Sequence, residues 1–301
     1  VPVPSPYAAA LAAVAVRERR VTIDGVPAAY WEYGAEDAPV TIVAVHGFRG
    51  DHHGLEPIIA QLRGIRVISP DLPGFGESAP LDGRHDIPGY AHWLRRFADT
   101  LKLSSAVILG HSFGSIVVSA AVADGLEADR VILINPIAAP ALSGPNGFLS
   151  RLTLLYYRVG RALPERLGAA LLGSPVIVRF MSLVMVQTPD RNLRRWIHDQ
   201  HDRYFSGYAT RDSVVESFEA SITSDVSVVA ERLTTPTLLI AAERDPITPV
   251  AAEQRLADRM PNARLVVIPG VGHLIHYEKP REAAAAIVDY LGSGSIVEST
   301  H

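Results

Sequence analysis

The stretch Ala106-Val-Ile-Leu-Gly-His-Ser-Phe-Gly-Ser-Ile-Val-Val-Ser-Ala-Ala-Val-Ala123 decides the fold. It opens on a short apolar run, Ala106–Leu109, of the kind that forms a strand covered on both faces. It closes on Phe113–Ala123, a small-residue-rich segment that reads as a helix. Between them stands Gly110-His-Ser-Phe-Gly114, a G-x-S-x-G. A Cβ at either glycine would crowd a sharp strand-to-helix turn, and the two glycines permit one. Such a turn lifts the Ser112 hydroxyl above the sheet edge. It also sets the Phe113 amide at a helix N-terminus, where developing negative charge is stabilised.

Working outward, strand and helix signals alternate. Arg20–Ile23 and Ala28–Tyr33 flank the turn signal Asp24-Gly25 and read as a hairpin. Val40–Val45 and Ile65–Ser69 read as strands, with a short helix over Leu55–Leu62 between them and the turn Asp71-Leu-Pro-Gly-Phe-Gly76 after them. Trp93, Leu94, Phe97, Ala98 and Leu101 recur at helical spacing within Tyr90–Leu101. Val131–Ile134 is a further strand. The alternation then stops. Residues 137–229 are helical in pattern, rich in large apolar side chains and cut by Pro145, Pro164, Pro175 and Pro189. It resumes with strands Thr237–Ala241 and Leu265–Ile268 and helices Val250–Met260 and Glu282–Leu291. The expected architecture is α/β: an eight-stranded, mostly parallel, doubly wound sheet. Its core spans residues 1–136 and 230–301, with a helical cap, 137–229, inserted after strand six over the carboxyl ends of the strands, where ligands bind in open α/β sheets.

Composition bounds the function. The 301 residues are 48% hydrophobic and 20% charged, ordinary globular usage that supports a sizeable core. A net charge of −4 offers no basic field for nucleic acid or anionic lipid. With no cysteine, disulfides, thiolate catalysis and cysteine-ligated metals are excluded. The Ala8–Val16 run is too short to span a membrane and lacks preceding basic residues, so it reads as an N-terminal helix packed on the body. The expected compartment is the cytoplasm rather than the exterior. The terminal GSGSIVESTH reads as a flexible tail.

A serine needs a base at neutral pH. His273, in Gly270-Val-Gly-His-Leu, follows the strand Leu265–Ile268 and lies at the same end of the sheet as Ser112. Asp245, in Glu-Arg-Asp-Pro-Ile-Thr-Pro, follows Thr237–Ala241 and can fix the imidazole tautomer and balance its charge. The competing reading of Asp245 is an N-cap for the helix from Val250. The rival acid position after strand six holds Asn135, whose amide cannot balance an imidazolium. The order Ser112, Asp245, His273 fits a sheet of this kind. A second oxyanion donor is expected from His46-Gly47-Phe48, the Phe48 amide.

The set His46-Gly47, Asp71-Leu-Pro-Gly-Phe-Gly-Glu-Ser78, Gly-His-Ser112-Phe-Gly, Asp245 and Gly-His273 resembles the α/β-hydrolase superfamily, from about Arg20 to Leu291. It is similar to the lid-bearing branch of small esterases, lactonases, meta-cleavage-product C–C hydrolases and cofactor-free haloperoxidases. The resemblance implies a Ser112–His273–Asp245 triad, backbone donors from Phe48 and Phe113, a helical cap and no cofactor. Asp71–Ser78 is then a structural turn. Serine at the elbow counts against aspartate-nucleophile relatives. Phe48-Arg49-Gly50-Asp51-His52-His53 departs from the glycine-rich loop of several subfamilies, which weighs against a C–C hydrolase.

The function expected is hydrolysis of a small carboxylic ester or related activated carbonyl through an acyl-enzyme, with no nucleic-acid partner and no membrane span. C–C hydrolysis or perhydrolysis by the same triad stays open, and so does a non-catalytic ligand-binding protein on this fold. Arg49, His111, Tyr156, Met181, Met185 and Trp196 are candidates to line the substrate pocket. For Arg49, an ion pair to Asp51 or a tie to the cap is the stronger reading over a substrate-carboxylate clamp. Asp51, His52 and His53 have metal-ligand residue types, but adjacent side chains rarely converge, and no metal is expected. His276 reads as a packing residue near His273, and Arg191–Arg195 as a solvated helix face.

Overall fold

The computed structural model describes residues 3–139, 147–205 and 207–293. Pro145 and the tail from residue 294 onward lie outside the described residues. Eight strands form one sheet: β1 (Val16–Ile23), β2 (Val26–Tyr33), β3 (Thr41–Val45), β4 (Arg66–Pro70), β5 (Val107–His111), β6 (Arg130–Ile134), β7 (Thr237–Ala242) and β8 (Ala263–Ile268). Their spatial order is β1-β2-β4-β3-β5-β6-β7-β8. β2 is antiparallel to both neighbours, and the pairings from β4 to β8 are parallel. The expected eight-stranded sheet is therefore present.

Twelve α-helices are described: α1 (Ala8–Ala12), α2 (Glu56–Ile59), α3 (Ile87–Thr100), α4 (Phe113–Ala123), α5 (Gly147–Ala162), α6 (Glu165–Leu172), α7 (Pro175–Met185), α8 (Arg191–Tyr204), α9 (Arg211–Thr223), α10 (Val250–Arg259), α11 (Ile275–Glu278) and α12 (Pro280–Ser293). The central strands are apolar throughout, and the pleat sends alternate residues to opposite layers. Val43 and Val45 join Ile108, Leu133 and Leu239 in the layer with α3, α4 and α10. Ile42 and Ala44 join Leu109, Ile132 and Ile240 in the layer with α2 and α12. β1 is an edge, and its run Arg17-Glu-Arg-Arg20 charges that edge against pairing with another chain.

Three elements differ from the sequence reading by three residues or more. β1 begins at Val16 rather than Arg20, because it pairs with the full length of β2, from Val16↔Tyr33 to Ile23↔Val26. The apolar run thus splits, leaving only Ala8–Ala12 helical. Leu55–Leu62 is not one helix but a 3₁₀ turn over His52–Leu55 followed by the four residues of α2. α3 starts three residues early, at Ile87. Asp86 caps it through the Gly89 amide (3.0 Å), and a proline sits in its first turn, two signals that apolar spacing does not carry.

The order reverses at β3, which lies between β4 and β5. That switch point opens a crevice at the carboxyl ends of β3 and β5. Helices α5 to α9 are inserted between β6 and β7 and tie down onto loops at this end. The Ala209 amide bonds to Gly74 O (2.9 Å) after β4, Gln187 Nε2 to Arg244 O (3.0 Å) after β7, and the Gln187 amide to Glu278 after β8.

Candidate active site

The turn between β5 and α4 is as tight as its sequence demands. A Cβ on Gly110 would lie 2.5 Å from Gly114 O, and one on Gly114 would lie 2.6 Å from His46 O. Ser112 itself adopts φ 53°, ψ −119°, a conformation an L-residue occupies at a cost of roughly 1–3 kcal/mol. Neighbouring bonds hold it there: Ser112 N donates to Ile134 O (3.0 Å), and Ser115 N donates to Ser112 O (2.8 Å). The strained serine is half-buried, whereas its partners are buried, so the hydroxyl is the reachable member of the group.

His273 Nε2 lies 2.8 Å from Ser112 Oγ, and His273 Nδ1 lies 2.7 Å from Asp245 Oδ2. Sequence positions 112, 245 and 273 thus meet in one hydrogen-bonded file. Asp245 also accepts from the amides of Ile247 (2.8 Å) and Thr248 (3.2 Å) and from Asn135 Nδ2 (3.0 Å). Burial pushes its pKa upward, but His273 and the two amides outweigh this and hold it below the usual carboxylate range. The cap of α10 is Pro249, not Asp245.

The loop after β3 lies against Ser112. A Cβ on Gly47 would come within 3.3 Å of Ser112 Cβ. His46 braces this loop: Nδ1–H donates to Gly47 O (2.8 Å), while Nε2 accepts from the Leu72 amide (2.9 Å). Burial lowers its pKa, in keeping with that neutral tautomer. The Phe48 and Phe113 rings meet edge to face at 6.4 Å, which brings the two proposed donor residues together across the elbow.

The expected pocket residues divide. Arg49 is 1% exposed and has φ +58°. Its Nε donates to Phe205 O (2.8 Å), Nη1 to Tyr157 Oη (3.1 Å) and Nη2 to Leu172 O (2.8 Å). Leu172 ends α6 and Phe205 caps α8, so the buried cation faces the negative ends of two helices. It makes no pair with Asp51 and is a tie to the cap, which corrects the substrate-clamp alternative. Tyr156 bonds Leu171 O (2.7 Å). Trp196 and Met185 pack with Leu274 and Tyr277, joining the cap to the body. Trp196 is thereby buried, while Met185 stays half-buried. Met181 is half-buried on α7. His111 is buried 4.2 Å from His276 and 5.8 Å from His273, ring to ring, and burial with the neighbouring His273 pushes its pKa down to about 3.

Sequence reasoning missed a buried aromatic cluster beside Phe48. Tyr157 stacks on Phe218 at 3.9 Å, and the Phe48 ring lies 6.0 Å and 5.7 Å from them, edge-on or tilted. Helical spacing alone does not tell Tyr157 from Tyr156. It also missed Asn135 as a partner of Asp245, and Glu253, a buried carboxyl on α10. Burial and then Asp245 raise the Glu253 pKa well above the usual range.

Asp51, His52 and His53 do converge, with ligand atoms within 4.8 Å, against the expectation for adjacent residues. Their bonds are local, however. Asp51 accepts from the His53 amide and lies 3.1 Å from His53 Nδ1, and His52 Nδ1 lies 3.0 Å from Asp71. The rings stack between Trp31 and Tyr204. Asp71 also accepts from the amides of His52 and Glu77 (2.8 Å each), which makes Asp71–Ser78 a braced turn.

Residues 40–280 match the family model for the alpha/beta hydrolase fold. The chain is 26% identical to epoxide hydrolase A of Mycobacterium tuberculosis over 91% of its length and 97% of that protein. It is 28% identical to the non-heme chloroperoxidase of Burkholderia pyrrocinia over 84% and 91%. Among solved structures, a thermophilic esterase from Thermogutta terrifontis superposes with a TM-score of 0.71 at 23% identity, covering 92% of this chain and 98% of that one. With its sheet, its elbow and a matched family model over most of its length, the chain belongs to the α/β-hydrolase family.

Proposed function

We propose that this enzyme is a serine hydrolase of small carboxylic esters or related acyl compounds. The observation that carries the reading is the unbroken file Ser112 Oγ, His273, Asp245, with steps of 2.8 and 2.7 Å. His273 Nε2 takes the Ser112 proton as Oγ attacks the carbonyl carbon. The carbonyl oxygen gains the negative charge and is held by the Phe48 and Phe113 amides, each such donor being worth ~2.7–4 kcal/mol of barrier. Collapse of the intermediate expels the alkoxide, which leaves with the proton from His273. Water then enters, gives its proton to His273, and releases the acid from Ser112.

Opening an epoxide through a covalent ester would need a carboxylate at the elbow, and the residue there is Ser112. Perhydrolysis is a second reading, favoured by the 28% identity to a chloroperoxidase. Adding hydrogen peroxide to the ester assay separates the two, since only a perhydrolase diverts the acyl group to peracid.

The test of the main reading is intact-mass analysis after a small fluorophosphonate. A single adduct on the native chain is expected, absent in Ser112→Ala and strongly slowed in His273→Ala. No adduct on the folded native chain, or an adduct that persists in Ser112→Ala, overturns the assignment.

A further inference from the structure

The cap carries two surface properties that the reaction at Ser112 does not use. Among the described residues, eight of the thirteen large hydrophobic side chains left exposed lie on α5, α6 and α7. On α7, Val176, Phe180, Leu183 and Val184 recur at i, i+4, i+7 and i+8, so they share one outward face. Val178 and Ser182, on the other side of α7, are buried. Val176 is 75% and Phe180 62% exposed, more than scattered surface apolar residues require. The stretch Glu165–Met185 is long and apolar enough to cross a membrane by length and composition, but it is folded as the short helices α6 and α7 with a break at Gly173-Ser174. A broken pair of helices tied into a cap cannot span a bilayer. It can lie in the plane of one.

Charge says which kind of surface. Residues 147–205 hold nine arginines, no lysine and the four acids Glu165, Asp190, Asp199 and Asp202, a net of +5. The whole chain is −4, so everything else sums to −9. Beside α7, a cleft of about 360 Å³ is lined by Arg179, Arg191, Arg194 and Arg195 together with Asp199 and Asp202, which pair with Arg203 and Arg179. Arg191 and Arg195 are exposed and form no ion pair among the described residues. The uniform acidity implied by the net charge is therefore misleading: charge is segregated, and the apolar helices sit on the positive side. Two like-charged faces repel, which disfavours a symmetric pairing of two copies through this cap.

We propose that the α6–α7 face docks the enzyme on an anionic lipid surface. The apolar side chains enter the headgroup boundary, and the arginines of α7 and α8 meet lipid phosphates. The proposal is independent of the catalytic reading, because its test reads binding alone.

The experiment is flotation of the full chain with vesicles of phosphatidylcholine, with and without added phosphatidylglycerol, at low and high salt. The double variant Phe180→Ser, Leu183→Ser runs alongside. Both positions are exposed, and an unchanged thermal melt checks that the variant folds. The expected result is co-flotation with the phosphatidylglycerol vesicles, weakened by salt and by at least about tenfold in the variant. Three results overturn it: no flotation of the native chain, equal binding to neutral vesicles without salt dependence, or a variant that floats as well as the native chain. A solution dimer that the variant dissociates, with no flotation, would assign the face to a second copy instead.

Discussion

Arg49 offers a sharp test of how the cap is held. Its guanidinium bonds Phe205 O, Tyr157 Oη and Leu172 O and has no carboxylate partner among the described residues. Arg49→Met keeps most of the stem volume and removes the charge and all three donors. Hydrogen bonds to a charged group are worth ~1.5–3 kcal/mol each. The raw sum overshoots, since burying a guanidinium carries its own desolvation cost, which the methionine escapes. Against that, two carbonyls at helix ends and a phenol lose their partner. The net expectation is ~3–5 kcal/mol, the range for breaking a buried charged network.

The loss should be local. All three acceptors belong to the cap, whereas the sheet keeps both of its apolar layers. Hydrogen exchange reads this directly. Amides of α5, α6 and α8 should exchange at least about 100-fold faster in Arg49→Met, since 1.4 kcal/mol is tenfold, while those of β3, β5 and β6 hold their protection. Arg49→Lys should recover less than half of the effect, because a single ammonium cannot reach three divergent acceptors. If cap amides exchange at the native rate, or sheet amides open as much as the cap, the tie is not what holds these helices.

Gly114→Ala should slow phosphonylation of Ser112 about 100-fold, because the added methyl meets His46 O and must displace the elbow; native reactivity in the purified variant refutes this. Acid should destabilise the fold between pH 6.5 and 3. His111 and His201 have pKa values pushed down to about 3, chiefly by burial, so the unfolded chain binds more protons in that window. Each contributes at most about 1.4 kcal/mol per pH unit, present above pH 6.5 and lost as pH falls, and urea melts at stepped pH would refute this by staying level from pH 7 to 5. Glu253→Gln should raise the melting temperature above pH 7 and change little near pH 4. A buried acid with a raised pKa gives stability below its unfolded pKa that is lost as pH rises, and the amide has no such loss. Equal shifts at both pH values, or none at the higher one, contradict a neutral Glu253.

Local signals made the core legible and tertiary ones did not. β3, β5, β6 and β7 are apolar on both faces, so each was readable from its own residues, and the elbow motif fixed the step from β5 to α4. The start of β1 was not, because Val16 to Arg19 become strand only through pairing with Glu32 and its neighbours. The same contrast holds in the site. Ser112, Asp245 and His273 stand at strand ends and could be ordered along the chain. For Arg49 the sequence favours an ion pair to Asp51 or a tie to the cap over a substrate clamp but does not choose between the first two, because nothing local says that helix ends from residues 172 and 205 arrive over it. Trp196 looked like a pocket residue because its partner, Tyr277, is 81 positions away and 5.3 Å off in space.

Asn135 shows how a residue can be judged correctly for one role and missed for another. As an acid it fails, and the carboxylate that meets His273 is Asp245. Yet its φ of 45° turns the chain at the end of β6 so that Nδ2 reaches Asp245 Oδ2, the same oxygen that faces His273. A carboxylate there would set two negative charges within hydrogen-bond reach and force them to share a proton. An amide supplies a donor without a charge. Glu253 completes the logic from the other side. It is buried, senses Asp245 and is driven toward its neutral form. One neighbour is an amide and the other is a carboxyl whose ionisation burial and Asp245 both disfavour, so the negative charge of the group is concentrated on Asp245. In the proposed mechanism that charge is the one an imidazolium at His273 requires as Ser112 gives up its proton.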